Sequence, residues 1–407
     1  MKDVSDVIVV GGGPVGSFAA LKLAKRGSKV IVFEEHEAIG IPSHCAGHLS
    51  IRSLRRLGLY PLPAKILENT FSQANFYTPS GFKFSIHLAT PITCSINRET
   101  FDKYLGDKAE AAGASYRLGS RVESLLIEDD TVRGVTVKKK DEAKSFFAKI
   151  VIDAEGISSR LLRQTGLAGL RGESLVSAVE AEVEDVKDVE LHAVEVFLGQ
   201  AYAPGFYAWL IPKLDGTAKV GLATKVGNPK ELLEKLVRKH PIASRQLSKA
   251  KITRSTFHTI TLGGPIVKAY SNGFLAVGDV ASQVKPTTGG GVIFGLTCAE
   301  IAAGVTYEAL QRNDFSSDYL QVYHRRCVNK LKFDFSVMLR FRRFLDSLSD
   351  QKLEGLLRFC ERIGLNNSLK NVEEIDFQGK LLLKIATKPS TFAAIAYLLK
   401  LQLSANP

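Results

Sequence analysis

The order of apolar and polar positions near the start of the chain predicts a strand, a helix and a second strand. Residues 6–10 form an apolar run that leads directly into a glycine-rich segment, residues 11–16. An alanine-rich stretch of helical character follows to about Arg26, and residues 29–33 form the next apolar run. Strand, glycine turn, helix and strand in this order are typical of a Rossmann-like nucleotide-binding unit.

Glycines at the first turn have the spacing of a dinucleotide-binding site. Gly11, Gly13 and Gly16 match the G-x-G-x-x-G pattern. The first permits the tight turn, the second lets the backbone approach a pyrophosphate, and the third lets the helix pack on the strand. The second strand ends at Glu34, 18 residues after Gly16, where an acid can accept hydrogen bonds from the adenosine ribose. We therefore predict a bound dinucleotide rather than a glycine turn without a ligand.

Three features later in the chain indicate which dinucleotide is bound. Residues 272–279 predict a strand that ends in Gly-Asp, and the glycine-rich residues 287–292 open a helix. This arrangement would hold the flavin end of FAD, with Asp279 on the ribitol hydroxyls and the amides of Gly291 and Val292 near the pyrimidine edge of the ring. Residues 151–159 are similar to the D-G-x-x-S segment of flavin hydroxylases, with Glu in place of the usual Asp. We predict FAD and not NAD.

Several short runs between residues 176 and 223 alternate apolar and polar positions with a period of two. Such alternation predicts an antiparallel sheet with one covered face, and a sheet inserted at this point suits a substrate pocket. The runs are residues 176–183, 192–198, 206–211 and 219–223. From about Phe315 to the end, apolar residues recur at spacings of three and four, which predicts helices.

Composition narrows the class of protein. The 407 residues are 45% hydrophobic, which is typical of a soluble globular protein with two or three domains. No signal-peptide region precedes the first strand, and the apolar residues 392–399 are too few for a membrane-spanning helix. Five scattered cysteines without a C-x-x-C pair favour reduced thiols and no metal site. We therefore expect a cytoplasmic protein.

The net charge of +12 has its clearest concentration in residues 324–343, where arginines and lysines are interleaved with phenylalanines. Helical spacing places an apolar stripe beside a cationic face. This pattern suits a core helix with solvated arginines, a surface that contacts anionic lipid headgroups, or a nucleic-acid face. No zinc finger or RNP motif supports the last interpretation, so we expect no nucleic-acid partner. Peripheral contact with a membrane surface stays open.

Two motifs point to a family. Residues 204–212, PGFYAWLIP, fit the pattern P-x-x-Y-x-W-x-F-P with Ile211 in place of Phe, and residues 39–47, IGIPSHCAG, carry a cysteine after a Pro-Ser-His sequence. Both resemble motifs of the archaeal geranylgeranyl reductases, FAD enzymes of the p-hydroxybenzoate-hydroxylase superfamily. The resemblance extends from about Asp6 to about residue 345. The helical tail matches only in general character.

The resemblance implies a set of residues around FAD in addition to the glycines of the first turn. Carried over position by position, the residues that line FAD are Val15, Glu34, Cys45, Ala46, Arg98, Val122, Asp279, Gly291 and Val292. Two features depart from the family pattern. Relatives often have a more glycine-rich run where this chain has Ala46-Gly47-His48, and Ile211 leaves a smaller aromatic wall. Both departures concern the identity of the prenyl substrate rather than the flavin.

The implied activity is saturation of isolated double bonds in the geranylgeranyl chains of archaeal membrane-lipid precursors, either digeranylgeranylglycerophospholipid or geranylgeranyl diphosphate. An unconjugated alkene has no carbonyl to polarise, so hydride transfer from reduced FAD needs close alignment and a nearby proton source. We expect Tyr207 and Trp209 to wall an apolar substrate tunnel. We expect Cys45 to contact flavin and alkene, the alternative being a buried structural thiol. His44 and His48 are neighbouring candidates for proton donation.

These interpretations combine into an α/β fold: a Rossmann-like FAD-binding domain with an inserted antiparallel-sheet substrate domain and a C-terminal helical region. The FAD-binding domain is predicted to be discontinuous, over residues 1–170 and 255–312, and to include a small strand-rich excursion near residues 65–100. The substrate domain is predicted over residues 171–254. The helical region is predicted over residues 313–407.

Two other functions remain open at this level. One is a flavin monooxygenase or halogenase of the same superfamily, which would accept an aromatic ring. The other is a prenyl-lipid carrier that keeps the fold without redox turnover. The electron donor is open as well, because the middle of the chain has no second G-x-G-x-x-G. An external donor (ferredoxin, NAD(P)H or another) therefore binds transiently or is itself a protein.

Overall fold

The computed structural model describes residues 4–139 and 142–379, together with residues 381, 393 and 397. These form two compact units. The first unit comprises Met1–Ser43, Arg98–Ser174 and Thr261–Lys332. The second unit comprises His44–Asn97, Leu175–Ile260 and Phe333–Pro407. The chain therefore passes between the units several times, and each unit is assembled from three separate stretches of sequence.

Within the described residues the chain forms strands and helices in the following order. The strands are β1 (Val4–Val10), β2 (Val30–Phe33), β3 (His48–Ser50), β4 (Leu67–Phe71), β5 (Gln73–Tyr77), β6 (Lys83–His87), β7 (Thr93–Ile96), β8 (Ser115–Arg117), β9 (Arg121–Glu128), β10 (Thr131–Lys139), β11 (Glu142–Asp153), β12 (Leu175–Glu184), β13 (Ala193–Leu198), β14 (Tyr207–Pro212), β15 (Ala218–Thr224), β16 (Lys251–Thr261), β17 (Tyr270–Ser271) and β18 (Phe274–Ala276). The helices are α1 (Pro14–Ala24), α2 (Ile51–Arg56), α3 (Arg98–Ala111), α4 (Arg160–Gln164), α5 (Pro229–Lys239), α6 (Ala243–Gln246), α7 (Val292–Arg312), α8 (Ser317–Asp346), α9 (Asp350–Arg362) and α10 (Leu365–Leu369).

The first unit is built on an eight-stranded sheet in which β17-β18-β11-β1-β2-β8 lie side by side, with β10 and β9 continuing from β11. β1 pairs in parallel with both β11 and β2, and β18 is parallel to β11. Val10, the last residue of β1, is in register with Asp153 and Phe33. The carboxyl ends of three parallel strands therefore lie together, at the edge where such sheets bind ligands. The predicted strand–helix–strand start of the chain is confirmed.

The second unit contains a seven-stranded sheet, in the order β16-β12-β15-β14-β13-β5-β6, and a three-stranded sheet, β3-β7-β4. The four alternating runs of the sequence correspond to β12–β15, which pair antiparallel in the order β12-β15-β14-β13. Of the strands near residues 65–100, β4 and β7 lie in the three-stranded sheet, and β5 and β6 lie in the seven-stranded sheet and not in the parallel one. The reason is that β5 pairs in parallel with β13, from Gln73 opposite Ala193 to Tyr77 opposite Phe197.

The predicted one-sided burial of the antiparallel sheet is wrong for its central strands. Every residue of β15 and all but the first residue of β14 are buried. One face of these strands packs in an apolar core that includes Leu210, Leu222, and Leu236 of α5. The other face carries Tyr207, Trp209 and Lys219, and it is covered too. A sheet with both faces covered loses the polar alternation that marks a solvated face.

The helical region begins with α8, whose pattern of burial is mixed. Phe335 and Met338 are buried, whereas Phe333 and Phe341 are among the exposed large apolar residues. The interpretation of this segment as a core helix with solvated arginines does not fit Arg342, which is 6% exposed. Beyond Gly379, residues 381, 393 and 397 are the described positions, so the apolar run 392–399 falls almost entirely outside them. The predicted fold class, including C-terminal helices, is confirmed.

Among the described residues, α7 alone is long and apolar enough to cross a membrane by length and composition. Of its most apolar window, 61% is buried inside the protein. A core helix of a soluble protein meets the same criteria, so α7 is weak support for a membrane span.

Candidate functional site

The turn between β1 and α1 depends on its glycines. Gly11 has a φ of 97°, and a Cβ on it would collide with the Ala154 carbonyl oxygen. A Cβ on Gly16 would collide with the Gly11 carbonyl oxygen, so α1 packs directly on the turn. At Gly13 a Cβ would meet no atom within 4 Å, and the first turn of α1 has no acidic residue. The turn is thus crowded toward β11 and open at the helix N-terminus, which suits a phosphate.

Glu34 is hydrogen-bonded to this glycine turn. Its carboxylate, in a residue only 8% exposed, accepts a hydrogen bond from the Gly12 amide at 2.7 Å. The other oxygen accepts from the backbone amide of His36 at 2.9 Å and lies 2.6 Å from His36 Nδ1. An acceptor-only carboxylate at the end of β2 suits the hydroxyls of an adenosine ribose. The sequence did not reveal the contact with His36.

The Gly-Asp turn after β18 lies against the first glycine turn. A Cβ on Gly278 would lie 3.2 Å from Val15 Cγ1, and one on Gly295 would lie 2.6 Å from Val15 Cγ2. Asp279 reaches the N-terminus of α7, because a Cβ on Gly291 would lie 2.6 Å from Asp279 Oδ1. Val292 is the first residue of α7. The structure therefore brings the two predicted ends of the dinucleotide site into one region of the first unit.

Arg98 provides a positive charge in the same unit. Its Nε and Nη2 atoms donate to the two carboxylate oxygens of Asp102 at 3.0 and 2.9 Å. Burial raises the pKa of Asp102, and the guanidinium partly reverses this effect. Burial also raises the pKa of Asp279, with Arg98 again acting in the opposite direction. Arg98 is therefore close enough to Asp279 for its charge to influence that carboxyl.

The segment that resembles D-G-x-x-S forms a cap at the end of β11. Asp153 is fully buried, and its carboxylate accepts from the Glu155 amide at 3.0 Å. Burial, followed by the charge of Glu155, raises the pKa of Asp153 well above its ordinary value. Glu155 accepts from Leu161 N at 2.7 Å and Ser158 Oγ at 2.9 Å. Glu in place of the usual Asp thus has a structural use here, because its longer side chain caps α4.

Val122, the remaining predicted residue of the first unit, lies on β9 and is 3% exposed. Its carbonyl oxygen accepts a hydrogen bond from Arg160 Nη2 at 3.2 Å. The first unit as a whole fits FAD: it offers an open helix N-terminus for a pyrophosphate and a carboxylate at the end of β2 for a ribose. It also places a carboxyl at the Gly-Asp turn, where the ribitol hydroxyls of the flavin end would bind.

Cys45, Ala46, Tyr207 and Trp209 belong to the second unit. Tyr207 and Trp209 project from the same face of β14, with their rings 5.9 Å apart, and the ring of Phe206 stacks on Tyr207 at 4.4 Å. Burial raises the pKa of Tyr207, and the nearby Cys45 thiol adds to this effect. The structure therefore brings Cys45 close to Tyr207. The phenol stays uncharged over the range of ordinary pH.

The cysteine segment has a defined local structure. Cys45 is partly exposed, and its sulfur accepts a hydrogen bond from the Gly47 amide at 3.4 Å. His48 begins β3, and its ring makes an edge contact with Phe71 at 5.5 Å. Cys94, Cys298, Cys327 and Cys360 are buried and free. Cys45 is thus the accessible thiol of the five. Within the described ranges no group of three or more His, Cys, Asp or Glu side chains is suited to hold a metal.

Some residues around these sites gave no signal in the sequence. Tyr116 donates to Ser17 Oγ at 2.8 Å, and Ser17 donates to the Gly12 carbonyl at 2.8 Å, which supports the first glycine turn. Arg342 lies over the ring of Phe206 at 5.5 Å, and its charge partly lowers the pKa of Tyr207. Such residues are recognisable only from their neighbours in space. No spacing or motif marks them.

Comparisons with known proteins agree with this geometry. A family model described as "FAD binding domain" matches residues 4–326. A digeranylgeranylglycerophospholipid reductase of Methanopyrus kandleri is 31% identical over 97% of this chain and 99% of its own length. The crystal structure of a geranylgeranyl bacteriochlorophyll reductase-like protein from Thermoplasma acidophilum superposes with a TM-score of 0.86 and 27% identity, covering 98% of this chain and 100% of that one.

A triple mutant of a flavin-dependent brominase shares the fold at a TM-score of 0.71, with 20% identity over 87% of this chain and 93% of its own. At this identity the likeness shows the fold alone. The family match establishes FAD as the cofactor, as the sequence predicted. The near-complete overlap in length with the reductases means that the likeness extends through both units. The chain therefore belongs to the digeranylgeranylglycerophospholipid reductase family of FAD-binding proteins.

Proposed function

We propose that the protein is an FAD-dependent reductase that saturates isolated double bonds of geranylgeranyl chains in archaeal membrane-lipid precursors. The preferred substrate is digeranylgeranylglycerophospholipid, because the relatives that match the whole chain carry this name. The observation that carries the proposal is the buried aromatic face of the second unit. There the rings of Tyr207 and of the single tryptophan of the chain lie 5.9 Å apart, and the partly exposed Cys45 lies near Tyr207.

Each of these side chains suits an alkyl substrate. Tyr207 and Trp209 offer ring surfaces that can hold a prenyl chain by burial of apolar area, and neither carries charge. Since the alkene has no polar group, alignment of the reacting carbons depends on the shape of these walls. Bound FAD, once reduced, supplies the hydride. Cys45 and Tyr207 are the side chains that we assign to contact with the reacting part of the prenyl chain.

The head of the substrate carries phosphate, and we propose that cationic side chains of the second unit favour it. Among these side chains, Arg342 and Lys225 both pair with the carboxylate of Asp346.

The electron donor is proposed to bind transiently. The candidates are ferredoxin, NAD(P)H and other reductants. Peripheral contact with the membrane surface is part of the proposal, because a diether phospholipid resides there.

The experiment is a single-turnover assay. Purified protein is reduced with dithionite without oxygen and mixed with digeranylgeranylglycerophospholipid or geranylgeranyl diphosphate. Reoxidation of the flavin, together with a lipid mass gain of two hydrogens for each saturated bond, is the expected result. Flavin that reduces normally yet ignores both lipids, and that modifies an added aromatic compound once oxygen is admitted, would favour a monooxygenase or halogenase. Prenyl-lipid binding without any turnover would favour a carrier.

Two substitutions test the aromatic wall. Trp209→Leu removes ring surface from the substrate face and should raise the KM for the long prenyl substrate while FAD remains bound. Phe257→Leu is the matched control, because Phe257 is 54% exposed on β16 and should leave turnover unchanged. Equal kinetics in the two variants would remove Trp209 from the proposed wall.

A further inference from the structure

A lysine is buried on the same sheet face as the aromatic pair. Lys219 lies on β15, is 3% exposed, and stands opposite Ile211 of β14, two residues from the partner of Trp209. Lysine is almost never fully buried unless its charge is paired. Neither the predicted tunnel nor the FAD contacts account for it. Apart from Thr224 at its end, the rest of this fully covered strand is apolar, so the buried lysine needs a separate explanation.

All three hydrogens of the Lys219 ammonium have acceptors. Nζ lies 2.7 Å from Glu68 Oε2, 2.9 Å from the Ile96 carbonyl oxygen and 3.2 Å from the Ala46 carbonyl oxygen. The side chains of Lys219 and Glu68 are 4% and 8% exposed. The three acceptors belong to three separate stretches of chain. An ammonium with all three hydrogens bonded in this way is held rigidly, since any displacement leaves a buried charge without partners.

Two of the tethered carbonyls border residues of the proposed chemistry. Ala46 directly follows Cys45, and Ile96 lies two residues before Arg98. The cysteine segment is also attached by the Ile96 amide, which donates to the Gly47 carbonyl at 3.0 Å, and by the pairing of β3 with β7. Lys219 thus connects the cysteine segment to β15, the strand that pairs with the strand of Tyr207 and Trp209.

We propose that Lys219 is a positioning residue: its ammonium, neutralised by Glu68, fixes the backbone at Ala46 and Ile96 and so sets the place of the Cys45 thiol against the aromatic face. Lys219 does not touch the substrate. The inference deepens the proposed function, because Lys219 matters for turnover only if Cys45 has the proposed role. The effect of Lys219 on the position of Cys45 does not depend on that role.

The test separates positioning from simple stability. Lys219→Met leaves Glu68 as a buried charge and should unfold more easily. The double variant Lys219→Met/Glu68→Gln removes both charges and should recover stability, yet it still lacks the tethers to Ala46 and Ile96. We expect this double variant to retain FAD and to react faster with iodoacetamide at Cys45, measured by intact mass. Its kcat should fall by up to about a hundredfold with little change in KM.

Lys213→Met is the matched control. Lys213 Nζ lies 3.7 Å from Glu68 Oε1, so this variant also removes a positive charge near Glu68 but disturbs no tether to the cysteine segment. It should alkylate and turn over as the wild type does. A double variant with wild-type alkylation and wild-type kcat would overturn the positioning role and leave the reductase proposal intact. Faster alkylation in the double variant, combined with no prenyl turnover even in the wild type, would support positioning and remove the reductase.

Discussion

Trp209 and Gly221 are partners across β14 and β15, and the indole occupies the space that a side chain on Gly221 would need. A Cβ on Gly221 would collide with indole Cζ2 and lie 2.8 Å from Nε1. The backbone of Gly221 is not in the left-handed region, so close approach of the ring is the reason for glycine here. The orientation of the only tryptophan in the chain is set by the neighbouring strand.

Gly221→Ala should therefore displace the indole. Overpacking of this kind costs about 1–3 kcal/mol of stability. We expect a shifted tryptophan emission spectrum and a higher KM for prenyl lipid, with FAD content unchanged. Gly172→Ala is the control, because a Cβ there meets no atom within 4 Å. If the emission spectrum of Gly221→Ala matched that of the control, the proposed packing of the Trp209 ring against Gly221 would be wrong.

The first glycine turn offers a second test. Gly11 and Gly27 both have positive φ, 97° and 80°, but only Gly11 is crowded. Gly27→Ala should lower the stability of the protein by only about 1–2 kcal/mol, which is the cost of placing alanine in the left-handed region. Gly11→Ala adds a collision with the Ala154 carbonyl and should lose FAD. The measurement is the ratio of visible flavin absorbance to protein absorbance after desalting, and a ratio equal to that of Gly27→Ala would contradict this assignment.

A buried chain of hydrogen bonds supports the Gly-Asp turn. The Tyr323 hydroxyl donates to the Ala276 carbonyl at 2.8 Å and accepts from Gln283 Nε2 at 2.7 Å. Gln283 Oε1 in turn accepts from the Gly278 amide at 2.7 Å. Since Asp279 follows Gly278 directly, this chain fixes the residue that we assign to the ribitol of FAD.

Tyr323→Phe breaks two bonds of this chain and removes the acceptor of the buried Gln283 Nε2, at a cost of about 1–3 kcal/mol. We expect a lower melting temperature and faster release of FAD, followed by the recovery of flavin fluorescence. Tyr319→Phe, on the same helix, removes only a 3.2 Å bond to Glu308 and should behave as the wild type. Equal FAD release from both variants would separate Tyr323 from the cofactor.

The sequence allowed prediction of the features that repeat or that follow fixed spacing. The apolar runs before Gly11 and Glu34 and the alternating runs of β12–β15 are local patterns, so they were visible without coordinates. The partners of Lys219 were not visible, because Glu68 is 151 positions away and Ala46 is 173. The burial of Arg342 was missed for a related reason. Helical periodicity alone does not identify which charged position of α8 meets another part of the chain.

Glu195 is a buried acid that lies outside both candidate sites. It lies on β13, is 1% exposed, and burial raises its pKa from 4.5 to about 7, against the opposing effect of hydrogen bonds from Gln246 and Tyr77. The unfolded chain releases this proton near pH 4.5, while the folded protein keeps it to about pH 7. The unfolded state therefore binds fewer protons across this window, so stability falls as the pH rises through it.

Glu195→Gln should abolish this part of the pH dependence. One pKa unit corresponds to about 1.4 kcal/mol. Between pH 4.5 and about pH 7 the wild type should therefore lose about 3 kcal/mol of folding stability relative to the variant. Urea unfolding across that range measures the difference, and the two proteins should agree best at its acidic end. Glu190→Gln is the control of opposite sign, since Lys83 lowers the pKa of Glu190 and its contribution is lost as the pH falls. A constant offset between wild type and Glu195→Gln at every pH would mean that Glu195 does not titrate in this range.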